Sequence, residues 1–341
     1  MDLLTQGLLG AACAGSAAER EETRVATVIG LAAGMLADAD ILIQSAEDPL
    51  LNLDYHRHFT HALAFIPVGA LIAALLLWPV LRKRLGPARL YRLALLGYLP
   101  SGLIDACTGY GTFLLWPFSD ARIALHLISI IDPIFTVILL LSVTFALIRK
   151  TPRFAHIGIG LCCLYLVLAF VQQQRALTSG SGLARTRGHT IQRIIARPSF
   201  GNIVLWKTLY TADESIYVDA VRPGLTRTRV YEGQSVTHFQ PERDAPARGI
   251  AAGTELYNDI LRFRKFSSDW IGVHPDRPEI LGDIRYSMLP DSALPLWGIV
   301  LDPERAERHA EFRSYRTLAP AERTRFMLML RGDAPSDGTE P

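Results

Sequence analysis

The chain has 341 residues, half of them hydrophobic, and its 35 basic and 33 acidic side chains leave a formal net charge of +2. That balance provides no basic stripe for nucleic acid, and the crowding of apolar runs into the first half excludes a single soluble globule. Cys13, Cys107, Cys162 and Cys163 all precede the polar second half, which therefore has no disulfide framework.

Residues 1–18 are rich in Gly and Ala and lack a basic stretch before the first apolar run, so they do not resemble a cleaved signal peptide. Gly7, Gly10 and Gly15 predict a re-entrant or tightly packed helix. After a charged break at 19–24, residues 25–43 are long enough to cross a bilayer, which takes about 20 apolar residues. Asp38 and Asp40 sit in the last turns of that run. Residues 62–81 carry no charge and form the clearest span, with basic residues following at 82–92. A shorter run at 93–104 ends at Asp105 and leads into Thr108-Gly109-Tyr110-Gly111-Thr112, read as a re-entrant turn that aims Asp105. Asp132-Pro133 predicts an N-cap and a helix over 133–148, closed by Arg149, Lys150 and Arg153. Residues 154–171 form the last span.

The expected fold is an α-helical multi-pass membrane domain over 1–177, followed by a small β-rich (α+β) extramembrane domain over 185–334. Thr178-Ser179-Gly180-Ser181-Gly182 marks a flexible linker at 178–184, and 335–341 a disordered tail. Strands are expected at 203–210, 215–221, 226–231, 283–288 and 297–301, with a helix over 255–264. Asp213-Glu214 and Pro223-Gly224 supply turns.

The stretch that calls for chemistry is 38–61, where His56, His58 and His61 fall within six positions after Asp38 and Asp40. Carboxylates in apolar surroundings are costly unless paired. His with Asp and no Cys suits a divalent metal: zinc first, with manganese or magnesium as alternatives. Spacing alone leaves open a solvated polar loop between two helices. The positive-inside rule narrows the choice. Placing 82–92 in the cytoplasm also puts 20–24 and 149–153 there, and it brings Asp38, Asp40, His56, His61 and Asp105 to the outer face. The C-terminal domain is then periplasmic.

Several ordered pieces carry a resemblance: Met1 to Gly7, Asp38-Ala39-Asp40, His56-Arg57-His58-Phe59-Thr60-His61, Asp105 to Thr112, Trp116 to Ser119, and Ile131-Asp132-Pro133. Together they resemble the YdjM-like, LexA-regulated inner-membrane proteins of bacteria, described as metal-dependent hydrolases, and the C-terminal half is similar to that of the family's long members. The resemblance implies a multi-pass inner-membrane protein with Asp38 or Asp40, His56, His61 and Asp105 as metal ligands, supported by Arg57 and Thr60. His58 occupies a more variable position. Two departures stand out. Ser101 replaces a histidine four residues before Asp105, and Gln6 stands where some members have histidine.

A metal there would acidify water and polarise an ester or phosphoester, lipid or envelope-derived, with Asp40 or Asp54 as base and Arg57 holding an anionic group. Arg122 reads as a snorkelling residue. His126 and His156 read as interfacial, while His189, His238, His274 and His309 have no assigned role. The rival is a non-catalytic membrane protein whose periplasmic β domain binds a partner or envelope component. Ser101 separates the two. In a site one ligand short, Ser101→His tightens metal binding; in a complete site it disturbs packing.

Overall fold

A computed structural model describes residues 1–224, 226–317 and 319–333, so the expected tail at 335–341 lies outside the described residues. The chain divides into two compact units. One comprises Met1–Ile43, Tyr55–Val171 and Phe200–Asn202, and the other Gln44–Asp54, Gln172–Ser199 and Ile203–Pro341.

The helices of the first half are α1 (Leu3–Ser16), α2 (Thr23–Leu36), α3 (Leu51–Tyr55), α4 (Ile66–Leu81), α5 (Pro87–Tyr98), α6 (Pro100–Ala106), α7 (Pro133–Arg149) and α8 (Arg153–Thr186). Their starts follow local chemistry. Asp2 accepts from the Thr5 N–H at 3.0 Å and caps α1, and Asp132 accepts from the Phe135 N–H at 3.1 Å ahead of Pro133, as its Asp-Pro step predicts. The run expected at 93–104 is not one helix. Pro100 has no N–H to continue α5, so the chain restarts there as α6.

Among the described residues, Thr23–Leu42, Leu63–Leu81 and Arg153–Thr186 are long and apolar enough to cross a membrane, and Leu3–Ser16 and Pro133–Arg149 are shorter apolar helices. Leu75, Leu76, Val80, Leu141, Val167 and Phe170 face outward. Such an apolar exterior suits lipid better than water.

The helical unit packs on small residues. Ala26, Ile29 and Ala33 of α2 meet Ile66 and Ala70 of α4 and Leu90, Leu93 and Tyr98 of α5 in one buried cluster. Gly10 of α1, Gly30 of α2 and Gly97 of α5 meet backbone to backbone; a Cβ on Gly97 would come within 2.6 Å of the Gly30 Cα, and one on Gly10 within 2.6 Å of the Gly97 carbonyl oxygen. Only glycine permits that approach. The packing expected of Gly7, Gly10 and Gly15 is thus present, against Met35, Gly30 and Thr27 respectively.

The second unit contains two antiparallel sheets. β1 (Arg193–Pro198), β2 (Trp206–Ala212), β3 (Ser215–Pro223) and β4 (Thr228–Tyr231) form one in that order, and β5 (Ser235–Thr237) pairs with β3. β6 (Ile271–His274), β7 (Arg277–Asp283), β8 (Trp297–Val300) and β9 (Phe312–Ser314) form the other. Three helices accompany them: α9 (Pro241–Ala247), α10 (Glu255–Phe266) and α11 (Pro320–Arg331). Asp213 and Glu214 take φ of 48° and 64° and close the two-residue β2–β3 hairpin, the geometry that matches strand twist. Leu209, Ile216, Val218, Val236, Trp270, Ile284 and Ala293 form a core.

Two expectations in this region are corrected. No strand covers 283–288; β7 ends at Asp283, whose carboxylate turns back onto buried Arg285 at 2.8 Å. The linker expected at 178–184 is helical, because α8 runs unbroken from Arg153 to Thr186. Its small residues are packing positions rather than hinges. Ala184 is buried in a cluster with Tyr210 and Ala212, and a Cβ on Gly180 would meet Thr208 at 3.2 Å.

Candidate metal centre

α2 does not stop at Leu36 but tightens into a 3-10 turn over Ala37–Leu42 that carries Asp38 and Asp40. Both carboxylates are buried, Asp38 at 8% and Asp40 at 2% exposure. They have different tasks.

Asp40 organises the histidine loop. Its Oδ1 pairs with His56 Nδ1 at 2.8 Å, and its Oδ2 accepts from the Arg57 N–H at 2.8 Å and the Thr60 hydroxyl at 2.6 Å. His61 Nδ1 lies 3.3 Å from the same oxygen and 3.0 Å from Thr60 Oγ1. With both oxygens engaged, Asp40 does not fit the general-base role expected of it. It sets the orientation of His61 instead, as an outer carboxylate does for a ligating histidine.

That orientation sends His61 Nε2 the other way, to 2.9 Å from Asp105 Oδ2 and 3.2 Å from Asp38 Oδ1. His61 is 1% exposed there. Asp105 reaches the spot from the last turn of α6, which packs so closely on the loop that a Cβ on Gly102 would overlap the His61 carbonyl oxygen. Thr108 closes the helix, its N–H and hydroxyl both donating to the Asp105 carbonyl, at 3.0 and 2.8 Å. Gly111, at φ +74°, lets the following turn reverse.

Three residues complete the surroundings. Gln6 Nε2, on α1, donates to Asp105 Oδ2 at 2.8 Å and Asp38 Oδ1 at 3.3 Å, while its buried Oε1 has no hydrogen-bond partner. The Met1 α-amino group lies against Asp105 Oδ1, and burial, with Arg57 nearby, holds it well below its ordinary pKa. Arg57 is 2% exposed at φ 62°, a backbone region that costs a non-glycine residue of order 1–3 kcal/mol. Its guanidinium donates to Thr108 Oγ1 at 3.0 Å and the Met1 carbonyl at 3.1 Å, and it lies 3.3 Å from Asp105. The guanidinium is thus turned inward, onto Thr108, the Met1 carbonyl and Asp105.

Two groups of three have ligand atoms within 4.8 Å of one another here: Asp38, His61 and Asp105, and Asp38, Asp40 and His56. The five expected ligands thus come together, but as two sets sharing Asp38. Burial draws the His56 pKa below the usual histidine value, against the opposing pull of Asp40. His58 packs instead among Phe113, Trp116 and Tyr55. Arg122 stacks over Tyr110 and Phe113 at 5.0 and 4.7 Å. Ser101 is 1% exposed, and its hydroxyl donates to the Gly34 carbonyl at 3.3 Å.

Asp54 belongs to the second unit. In the second unit Arg262 donates to Asp54 at 2.8 Å, to Asp48 at 2.8 Å and to Asp259 at 2.8 Å. Asp54, expected as a possible base, is thus paired with that arginine. Asp48, Asp259 and His309 make a third group of ligand geometry; with Arg262 bonded to both carboxylates it is an arginine-centred ion-pair network. Sequence reasoning missed this network, whose members are scattered along the chain. It also underrated Gln6, for which the signal was its place beside Thr5 at the start of α1.

Comparison with known proteins adds one finding. A family model described as YdjM inner membrane protein matches residues 1–176. No curated protein and no solved structure matches the chain.

Proposed function

From the premise that the chain belongs to the YdjM inner membrane protein family, we propose that it is a multi-pass inner-membrane protein holding a divalent metal at its periplasmic face and acting as a hydrolase. The observation that carries the metal reading is His61 Nε2, buried within 3.2 Å of carboxylate oxygens of both Asp38 and Asp105. A buried imidazole nitrogen gathered with two carboxylate oxygens is a donor set that suits a shared cation.

Asp38, His61 and Asp105 would hold the ion, zinc or a harder cation such as manganese or magnesium. A rotated Gln6 amide would bring its unpartnered Oε1 to the same place. When bound, the ion would supply Lewis-acid polarisation of an ester or phosphoester. Asp40 and Thr60 fix the His61 ring, and Arg57 and Thr108 hold Asp105. Elemental analysis of protein purified without chelator tests this: about one equivalent of a divalent metal is expected. A metal-free preparation that also fails to take up zinc, manganese or magnesium would sink the reading.

A specific observation favours the non-catalytic rival. Gln6 already bridges Asp38 and Asp105, and Arg57 lies beside Asp105, so the carboxylates have protein partners of their own. Ser101→His bears on the choice. Ser101 is packed against Gly34, so the larger ring is expected to cost about 1–3 kcal/mol by overpacking and to weaken metal binding. A variant that binds metal more tightly would mean a site one ligand short.

The orientation rests on charge. Arg20, Arg24, Arg149 and Lys150 come together at one place, and α2 leads from Arg24 towards Asp38 over roughly 20 Å at 1.5 Å per residue. Alkaline phosphatase fused after Asp333 is expected to be active, and after Lys83 inactive; the reverse pattern would invert the topology.

A further inference from the structure

Four cations from two distant stretches of chain meet in the helical unit. Arg20 and Arg24, at the start of α2, and Arg149 and Lys150, at the end of α7, line an open cleft of about 540 Å³ together with Glu21. The arrangement is built, not a chance crowding of tails. Arg24 Nε donates to the Leu147 carbonyl at 3.2 Å, tying the first turn of α2 to the last turn of α7. Lys150 takes a left-handed C-cap conformation at φ 50°, which ends α7 beside the cleft. The first turn of α2 has no side-chain cap, so its amide dipoles add to the positive field.

Four positive side chains against one negative select an anion, and guanidinium matches phosphate geometry. The neighbouring residues decide which kind. One turn from Arg24 on α2 stands Val28, 56% exposed, and one turn before Arg149 on α7 stands Phe145, 46% exposed. Residues four apart share a helix face, so each arginine has an outward apolar neighbour on the side of the apolar helix body. A soluble phosphate has no use for those neighbours, whereas a phosphate carrying acyl chains does.

We propose that this cleft binds the phosphodiester headgroup of an anionic phospholipid, with Arg20, Arg24, Arg149 and Lys150 around the phosphate and the acyl chains along Val28 and Phe145. On the topology proposed above, the lipid belongs to the cytoplasmic leaflet, whose anionic lipids attract basic groups at helix ends. The inference rests on membrane association and is independent of the metal site.

The test is native mass spectrometry of the full chain in neutral detergent, with phosphatidylglycerol, phosphatidylcholine or inorganic phosphate added. Phosphatidylglycerol is expected to stay bound where phosphatidylcholine dissociates. Arg20→Gln combined with Lys150→Gln, both at exposed positions, is expected to weaken its retention about tenfold or more without altering the unfolding temperature. Equal retention of the two lipids, or retention unchanged in the double variant, would overturn the proposal. Displacement of phosphatidylglycerol by millimolar inorganic phosphate would overturn it too, by assigning the cleft to a soluble anion.

Discussion

His61→Ala is expected to empty the metal centre, lowering bound metal from about one equivalent to a small fraction and weakening affinity at least about 100-fold. Loss of residues that merely support a ligand already costs 10–100-fold, and His61 is the nitrogen donor between Asp38 and Asp105. Asp105→Asn should behave alike. Asp54→Asn should keep its metal, because Asp54 belongs to the Arg262 network. Stability gives a second readout. A ligand present at about 100 times its Kd stabilises the fold by about 2.7 kcal/mol, so chelator should lower the unfolding temperature of the native protein and leave that of His61→Ala unmoved. Full metal content in His61→Ala would show that the ion, if any, sits elsewhere.

Gly30→Val is expected to destabilise the helical unit strongly. A side chain there overlaps the Gly10 carbonyl oxygen and comes within 2.6 Å of the Ala14 Cβ. The first of these is backbone and cannot rotate away, so α1 and α2 must separate. The cost should reach or exceed the roughly 3 kcal/mol at the top of the usual overpacking range, out of a total of about 5–15 kcal/mol. Because α1 carries Gln6 and α2 leads directly into Asp38, metal content should fall with stability. The contrast is Gly182→Ala, in α8, where an added Cβ meets nothing within 4 Å. There the lower chain entropy of alanine should stabilise by about 0.4–1 kcal/mol. A Gly30→Val protein that unfolds at the native temperature would contradict the close approach of the two helices. A Gly182→Ala protein less stable than the native one would contradict the continuity of α8.

The sequence by itself determined what is local. Apolar run lengths mark the long helices, Asp132-Pro133 marks the start of α7, and Asp213-Glu214 marks the β2–β3 hairpin, because capping and turn geometry depend on a few neighbouring residues. It also named the residues of the candidate centre, since buried Asp and His among apolar runs need partners wherever the chain puts them. The tertiary structure alone decided how they are divided: Asp38 and Asp105 to the Nε2 side of His61, Asp40 to its Nδ1 side, Asp54 to Arg262 in the other unit. It brought Gln6 onto two carboxylates 32 and 99 positions away, and it made 178–184 a helix whose small residues fit against β2. The placing of Gln6 beside Asp38 depends on how closely α1 and α2 approach, which is set by glycines meeting backbone to backbone, and no spacing along a single helix encodes which glycine faces which.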